Sequence, residues 1–162
     1  MQREARSKRI ETVRARPVAE LLECPPATGL LLNGAAQCIR FAAGQTVFCQ
    51  SETCRGLYLV VSGHFAREIE RLETLLTLSP ARAGDLVELA AALGDGHHTY
   101  TLTAHSAGSL LMLPIETLNQ AFQSYPPLRM HLLEELAREV TRAYYDCWLS
   151  RAAVHRRERS AA

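Results

Sequence analysis

Short runs of β-forming residues, divided by closely spaced turn residues, constrain the fold of this chain more than any other feature of its sequence. Between Cys38 and Leu113 these runs are separated by Gly, Pro, Ser or Asp. Such spacing is typical of an antiparallel sandwich or roll, because βαβ units would place a helix after each strand. The predicted strands are residues 38–41, 46–49, 57–61, 65–68, 75–78, 99–104 and 109–113. Residues 57–61 are apolar without alternation, so this strand should be buried on both faces.

Helical patterns flank these strands on both sides. Before them, a helix is expected to start near Pro17, because proline interrupts a helix that would continue through it. After them, Pro114 opens a short helix that reaches Phe122. A run without glycine or proline then extends from Leu128 to about Arg157. At 1.5 Å per residue this helix would measure about 45 Å, which is too long for one small domain to cover.

The long helix carries a heptad pattern of apolar and small residues, at the a and d positions of a short coiled coil. The predicted dimer-interface residues are Leu133, Leu136, Val140, Ala143, Cys147 and Val154. A second stripe, which would instead cover the roll, consists of Leu132, Leu136, Tyr144 and Trp148. We therefore expect a homodimer through this helix, and a helix packed only on its own domain is the alternative.

The stretch from Gly84 to Ala104 holds the residues best suited to bind an anion. It opens with Gly84-Asp85-Leu86-Val87-Glu88-Leu89-Ala90 and, after a turn of small residues, closes with His98-Thr99-Tyr100-Thr101-Leu102-Thr103-Ala104. A phosphodiester needs N–H donors and a cation, and a ribose hydroxyl needs a carboxylate acceptor. Glu88 offers that carboxylate at the start of a predicted short helix.

This stretch resembles the cassette of the cyclic-nucleotide-binding domain in the catabolite-activator and fumarate-nitrate-regulator (CRP/FNR) family. That cassette has Gly-Asp, an aromatic or apolar residue, Gly-Glu, a short helix, and then Arg before a Thr-Val-x-Ala strand. Residues 41–48, with an aromatic residue and Gly-Gln, are similar to the opening strand pair of the family, and residues 57–63 to its next strand and Ser-Gly turn. The resemblance covers roughly residues 38–140.

The resemblance implies a mainly β fold with flanking helices, namely a double-stranded β-helix (jelly roll) followed by a long dimerisation helix. The expected organisation is a basic arm and helix (1–24), the jelly roll (25–125), the long helix (126–158) and a tail (159–162).

In the family a DNA-binding helix-turn-helix domain follows the long helix. Here only Arg156-Arg157-Glu158-Arg159-Ser160-Ala161-Ala162 remain at the end of the predicted helix, and this segment is too short to form such a domain. We therefore expect a sensor-only or truncated member of the family.

The cassette departs from the family at two positions. Val87 either replaces the second Gly or marks its deletion, and a β-branched side chain there would crowd a phosphate and resist a positive φ. His98 replaces the Arg, and an imidazole is largely neutral near pH 7 and lacks a bidentate fork. We therefore expect a degenerate cassette that does not bind cyclic AMP or cyclic GMP tightly and accepts another nucleotide or a small anionic effector. The predicted ligand-binding residues are Gly84, Val87, Glu88, Leu89, His98 and Thr99.

A simpler interpretation of the two ionisable cassette residues remains open. Glu88 would then be a helix N-terminal residue favoured by the helix dipole, and His98 would be a surface turn residue.

Metal and catalytic motifs are not recognisable in the sequence. His97 and His98 are adjacent, and adjacent strand residues face opposite sides, so one ion cannot easily take both. The five cysteines lack Cys-x-x-Cys spacing, and their wide gaps favour packing of reduced thiols over a disulfide framework, a zinc site or an iron–sulfur cluster. No nucleophile elbow or Gly-rich nucleotide loop occurs. We predict no metal site and no enzyme, and a cupin-like metalloenzyme is the rival.

Charge and hydropathy limit the partners. Basic residues concentrate at both ends of the chain, which suits solvated tails or an anionic partner such as DNA or an acidic regulatory protein. No apolar run approaches the roughly 18 residues that span a bilayer, and the N-terminus lacks a secretory pattern. We expect a soluble, cytoplasmic chain that does not bind membranes.

Taken together, these features predict an effector-sensing regulatory dimer. The alternative is a protein-interaction or scaffold module with a vestigial pocket that binds no nucleotide.

Overall fold

A computed structural model describes residues 18–72 and 74–160, with side chains described up to residue 149 except at position 74. Most of the predicted basic arm and the last two residues of the tail lie outside this range. The strands within it are β1 Gln37–Phe41, β2 Thr46–Phe48, β3 Gly56–Ser62, β4 Phe65–Arg71, β5 Thr74–Ala81, β6 Leu86–Val87, β7 Thr101–Ala104 and β8 Gly108–Pro114. The helices are α1 Pro26–Ala35, α2 Leu89–Leu93, α3 Ile115–Ser124 and α4 Pro127–Ser160. Residues 18–21 are also helical.

The strands form two four-stranded antiparallel sheets, in the orders β1-β8-β3-β6 and β2-β7-β4-β5. Each of the seven predicted strands is present within a few residues of its expected bounds, and the mainly β fold with flanking helices is confirmed. Strand β6 was not predicted, and neither was α1. Two glycines, Gly29 and Gly34, lower the helix propensity of α1. Its helical state depends on packing, since Leu32 is fully buried.

Two hydrophobic cores lie on opposite sides of the β1-β8-β3-β6 sheet. The helix-side core packs this sheet against the helices, and its buried members are Val18, Leu22, Leu32, Leu57, Leu59, Leu89, Leu111, Leu113, Leu118, Ala121, Leu128 and Leu132. The roll core lies between the two sheets, and its buried members are Phe48, Tyr58, Val60, Phe65, Ala81, Val87, Tyr100, Leu102, Ala104, Leu110 and Met112. Strand β3 therefore has two buried faces, as predicted, except that Val61 is exposed.

Helix α4 begins inside the helix-side core and then leaves it. Leu128 and Leu132 are fully buried, whereas every residue from 141 to 149 is exposed. The alternative in which Tyr144 and Trp148 cover the roll is wrong, because these side chains are 69% and 58% exposed. The long helix itself is confirmed, while dimerisation stays a prediction and the side chain of Val154 lies outside those described.

No helix in residues 18–72 and 74–160 combines the length and apolar character needed to cross a bilayer.

Candidate functional site

The junction between β6 and α2 sets the position of the candidate site. Val87 pairs with Tyr58 of β3, and its side chain is fully buried in the roll core. The next residue, Glu88, has the left-handed conformation, with φ 72° and ψ 32°. That conformation costs a residue with a Cβ roughly 1–2 kcal/mol. The positive φ falls on Glu88 and not on Val87. The valine side chain is a buried member of the roll core.

Glu88 is a buried carboxyl group with weak hydrogen bonds. Its exposed fraction is 1%. The amide and the hydroxyl of Thr99 donate to the two carboxyl oxygens, both at 3.4 Å, and the Glu88 amide donates to the Tyr100 hydroxyl at 3.2 Å. Burial raises the pKa of Glu88 to about 7. Glu88 is therefore more than a dipole-favoured residue at a helix start.

His98 is also buried, which corrects its alternative assignment to a surface turn. Its exposed fraction is 4%, and its ring stacks on Phe48 with centroids 3.7 Å apart and planes 3° apart. The Nδ1 atom lies 3.5 Å from Oε2 of Glu88, yet it has no hydrogen-bond partner among the described residues. Burial lowers the pKa of His98. Burial thus favours the neutral form of both groups.

Cys54 completes a cluster with these two residues. The connection between β2 and β3 pairs with the connection before β7, since the His98 amide donates to the Glu52 carbonyl at 2.8 Å and the Cys54 amide donates to the Gly96 carbonyl at 2.7 Å. This pairing brings the Cys54 thiol, the Glu88 carboxyl and the His98 imidazole within 4.8 Å of one another. All three residues are buried, and burial raises the pKa of the Cys54 thiol.

Arg67 links this region to the long helix. From β4 its guanidinium lies 5.6 Å from the centre of the Tyr100 ring, and its Nη1 donates to Oε1 of Glu139 on α4 at 2.5 Å. Its Nε also donates to the Ser79 carbonyl at 2.7 Å. Because one cation contacts both an aromatic face of the roll and a carboxylate of the helix, it ties α4 to the roll.

The remaining predicted ligand residues have different positions. Thr99 is exposed and holds the Glu88 carboxyl. Leu89 is buried in the helix-side core, so its side chain does not line a pocket. Gly84 has a φ of 95° and forms the turn before β6, where its amide donates to the Val60 carbonyl.

An open depression of about 580 Å³ lies elsewhere, between α2, α3 and α4. None of the predicted ligand residues lines it.

The prediction that the cysteines are reduced thiols packed in the interior is correct for only some of them. Cys54 is buried and Cys24 is half-buried, but Cys38 and Cys49 are exposed. All of them are free thiols.

Comparison with known proteins identifies the scaffold. The sequence profile of the cyclic nucleotide-binding domain matches residues 38–125. The chain belongs to the cyclic nucleotide-binding domain family. No curated protein sequence matches it.

Several solved structures share this fold. The sensor domain of the transcriptional regulator DNR from Pseudomonas aeruginosa is 19% identical, with a TM-score of 0.72 over 82% of this chain and 92% of that one. The regulatory domain of Toxoplasma gondii PKA, crystallised with cAMP, is 15% identical, with a TM-score of 0.72 over 83% of this chain and 52% of that one. The Thermus thermophilus catabolite activator protein is 25% identical, with a TM-score of 0.68 over 82% of this chain and 62% of that one.

This cyclic nucleotide-binding domain holds two site residues that sequence reasoning missed, Cys54 and Arg67. Neither lies in the Gly84–Ala104 stretch, and neither has a partner at a recognisable spacing along the chain. Cys54 reaches His98 only through the pairing of two loops, and Arg67 reaches Glu139 across 72 positions of sequence. In the sequence, the role of Arg67 could have been suspected only from the presence of a basic residue within a predicted strand.

Proposed function

We propose that this cyclic nucleotide-binding domain is a regulatory, non-enzymatic sensor that acts as a dimer through α4 and responds to an effector other than the usual cyclic nucleotide. One observation carries the proposal, which is the continuous set of contacts from the cassette to the long helix. The Glu88 amide bonds the Tyr100 hydroxyl, the Tyr100 ring faces Arg67, and Arg67 pairs with Glu139 of α4. A change at Glu88 can therefore alter the position of α4, provided that the two states differ in effector affinity.

The exposed part of α4 supports the dimer. Val140, Tyr144, Trp148 and Leu149 are each more than half exposed, and Leu133 is at the margin of exposure. Soluble monomers rarely display so many large apolar groups together. Predicted heptad positions 133, 140 and 147 all lie on exposed parts of α4, which suits a second copy of the same helix.

The cassette supports a change of effector. Its expected cation is replaced by a buried histidine whose pKa is lowered by burial, so no positive charge meets a phosphate there. The space between the sheets is occupied by the roll core, which includes Val87, Tyr100 and Leu102. Because core side chains occupy this space, the structure also favours the second candidate function, a protein-interaction module whose pocket no longer accepts a small molecule.

Sedimentation velocity over a concentration series tests the dimer. We expect the unmodified chain to sediment as a dimer and Val140→Glu to sediment as a monomer, because a buried charge at a heptad position is costly. Thr141→Glu adds the same charge one position away, where the helix is exposed but outside the predicted heptad contacts, and it should remain dimeric. A monomeric unmodified chain at every concentration, or a dimeric Val140→Glu, would contradict the dimer.

Thermal unfolding of the same protein with cyclic AMP, cyclic GMP, inorganic phosphate and nucleoside monophosphates tests the effector. We expect no shift in melting temperature with the two cyclic nucleotides. A shift in melting temperature with either cyclic nucleotide would contradict the proposal that the effector has changed. No shift with any compound in the set would favour the protein-interaction module. Emission from Trp148, the single tryptophan of the chain, reports whether a bound compound also alters α4.

A further inference from the structure

We propose that Cys54, Glu88 and His98 form a binding site for one zinc ion. The proposal is independent of the regulatory function above, because ion binding is measured directly and does not require a dimer or a response of α4. It also goes beyond the sequence, which showed no metal-ligand spacing.

The three side chains are held together by different connections of the roll. Cys54 lies between β2 and β3, Glu88 lies between β6 and α2, and His98 lies between α2 and β7. Backbone hydrogen bonds from Cys54 to Gly96 and from His98 to Glu52 fix the first and third connections against each other. Stacking on Phe48 fixes the plane of the His98 ring. The cluster is therefore built by the fold and is not a chance meeting of mobile surface groups.

The distances suit a metal ion after a small contraction. The three donor atoms lie within 4.8 Å of one another, and Nδ1 of His98 is 3.5 Å from Oε2 of Glu88. Ligands of a tetrahedral zinc ion are separated by roughly 3.3–3.6 Å, given bond lengths of about 2.0 Å to N or O and about 2.3 Å to S. A closure of about 1 Å is within the reach of side-chain rotation.

The unpartnered nitrogen of His98 is the independent observation that points to a ligand. Nδ1 is buried without a hydrogen-bond partner among the described residues, and it faces the Glu88 carboxyl. Buried polar atoms are nearly always satisfied by protein, water or an ion. A zinc ion would accept the lone pair of Nδ1 and would also bind the Cys54 thiolate and the Glu88 carboxylate.

Charge balance favours a divalent ion at this depth. The neutral imidazole adds no charge, and one thiolate with one carboxylate neutralises the two positive charges of the ion. On binding, Cys54 releases its thiol proton to the buffer, and Glu88 releases its carboxyl proton where it still carries one. Three protein ligands leave the fourth position for water or for a small donor ligand. Thiolate and imidazole ligands together select zinc over magnesium or calcium.

Cobalt titration followed by zinc competition tests the site on the full chain after treatment with a chelator. Cobalt serves as the probe because a thiolate ligand gives it a strong charge-transfer absorption. We expect uptake of one cobalt ion per chain, with that absorption, and displacement of the cobalt by one zinc ion measured by calorimetry. The proposal would be overturned if the chain took up neither one cobalt ion nor one zinc ion per molecule.

Matched variants identify the ligands. Loss of a group that merely orients a ligand lowers metal affinity 10–100-fold, so loss of a ligand should cost at least about 100-fold. We expect this loss in Cys54→Ser, Glu88→Gln and His98→Gln. The neighbouring exposed residues provide controls, and Cys49→Ser and His97→Gln should bind as the unmodified chain does. Equal binding by Cys54→Ser and Cys49→Ser would overturn the assignment.

A fourfold variant guards against misfolding of the buried substitutions. Replacing Cys24, Cys38, Cys49 and Cys147 with serine leaves Cys54 as the last of the five cysteines and does not alter the cluster. Retention of the thiolate absorption in this variant would support Cys54 as the ligand. Its loss in a variant that still unfolds cooperatively would overturn the proposal.

Discussion

Strands β3 and β8 have two buried faces, and these faces differ in chemistry. Towards the helices they present only leucines, Leu57, Leu59, Leu111 and Leu113. Towards the other sheet they present Tyr58, Val60, Leu110 and Met112, and the buried groups of Glu88 and His98 lie on that side near Tyr58. The alternation of side chains along a strand thus separates a purely apolar contact from a region that holds ionisable groups. One face supplies stability, and the other tolerates buried ionisable groups.

The largest expected effect lies on the helix-facing side. Leu113 is 1% exposed there. We expect Leu113→Ala to lower the free energy of unfolding by about 3 kcal/mol, because a buried leucine leaves a cavity when truncated. The loss should be the same at pH 5 and pH 8, since the buried members of the helix-side core are all apolar. Urea denaturation measures both quantities.

Leu75→Ala provides the control for this comparison, because Leu75 is 62% exposed on β5. It should change stability by less than about 0.5 kcal/mol. A cost below about 1 kcal/mol for Leu113→Ala, or a cost that depends on pH, would mean that the two faces are not separated in this way.

The second expected effect is a pH-dependent change in the free energy of unfolding, and it arises from the buried ionisable groups on the roll-facing side. Burial raises the pKa of Glu88 from 4.5 to about 7, so the folded chain holds this proton more tightly than the unfolded chain does. The stability contributed by the neutral carboxyl is complete below about pH 4.5 and is lost as the pH rises to about 7. His98 acts in the opposite sense, because burial lowers its pKa and stability is lost as the pH falls below about 6.5.

Glu88→Gln separates the two groups, because it removes the carboxyl and leaves His98 in place. The stability of this variant relative to the unmodified chain should rise by about 3 kcal/mol between pH 4.5 and pH 8. Urea denaturation in the presence of a chelator measures the difference without bound metal. A constant difference across this range would show that Glu88 does not titrate as a buried group.

The same comparison explains what the sequence could predict. Strands were recognisable because glycines and other turn residues mark their ends, and the double burial of β3 was recognisable because Leu57, Tyr58, Leu59 and Val60 do not alternate in polarity. Helix α1 was missed because Gly29 and Gly34 oppose helix formation locally, while burial of Leu32 stabilises it through contacts between distant elements.

The candidate site was only partly predictable for a related reason. Glu88, His98 and Thr99 were found because they lie in one stretch that resembles a known cassette. Their burial was not found, because it depends on the stacking of Phe48 and on the pairing of two loops. Cys54 joins them through that pairing alone, and no local pattern of residues encodes it.

The smallest expected effect lies where the roll contacts α4. Glu139 pairs with Arg67, whose side chain is 14% exposed, whereas Glu135 pairs with Arg138, whose side chain is 56% exposed. Glu139→Gln should therefore lower the free energy of unfolding by about 1 kcal/mol, and Glu135→Gln by less than about 0.5 kcal/mol, because water screens the more exposed pair.

The two glutamate variants also decide whether the roll-facing side communicates with the helix. Both substitutions lie on α4 and remove one negative charge, so a general charge effect on the helix would be equal in the two. A larger loss for Glu139→Gln in urea denaturation would mean that the Arg67 contact couples the sheets to α4. Equal losses would mean that the core contacts of Leu128 and Leu132 hold α4 and that the Arg67 contact does not connect the cassette to this helix.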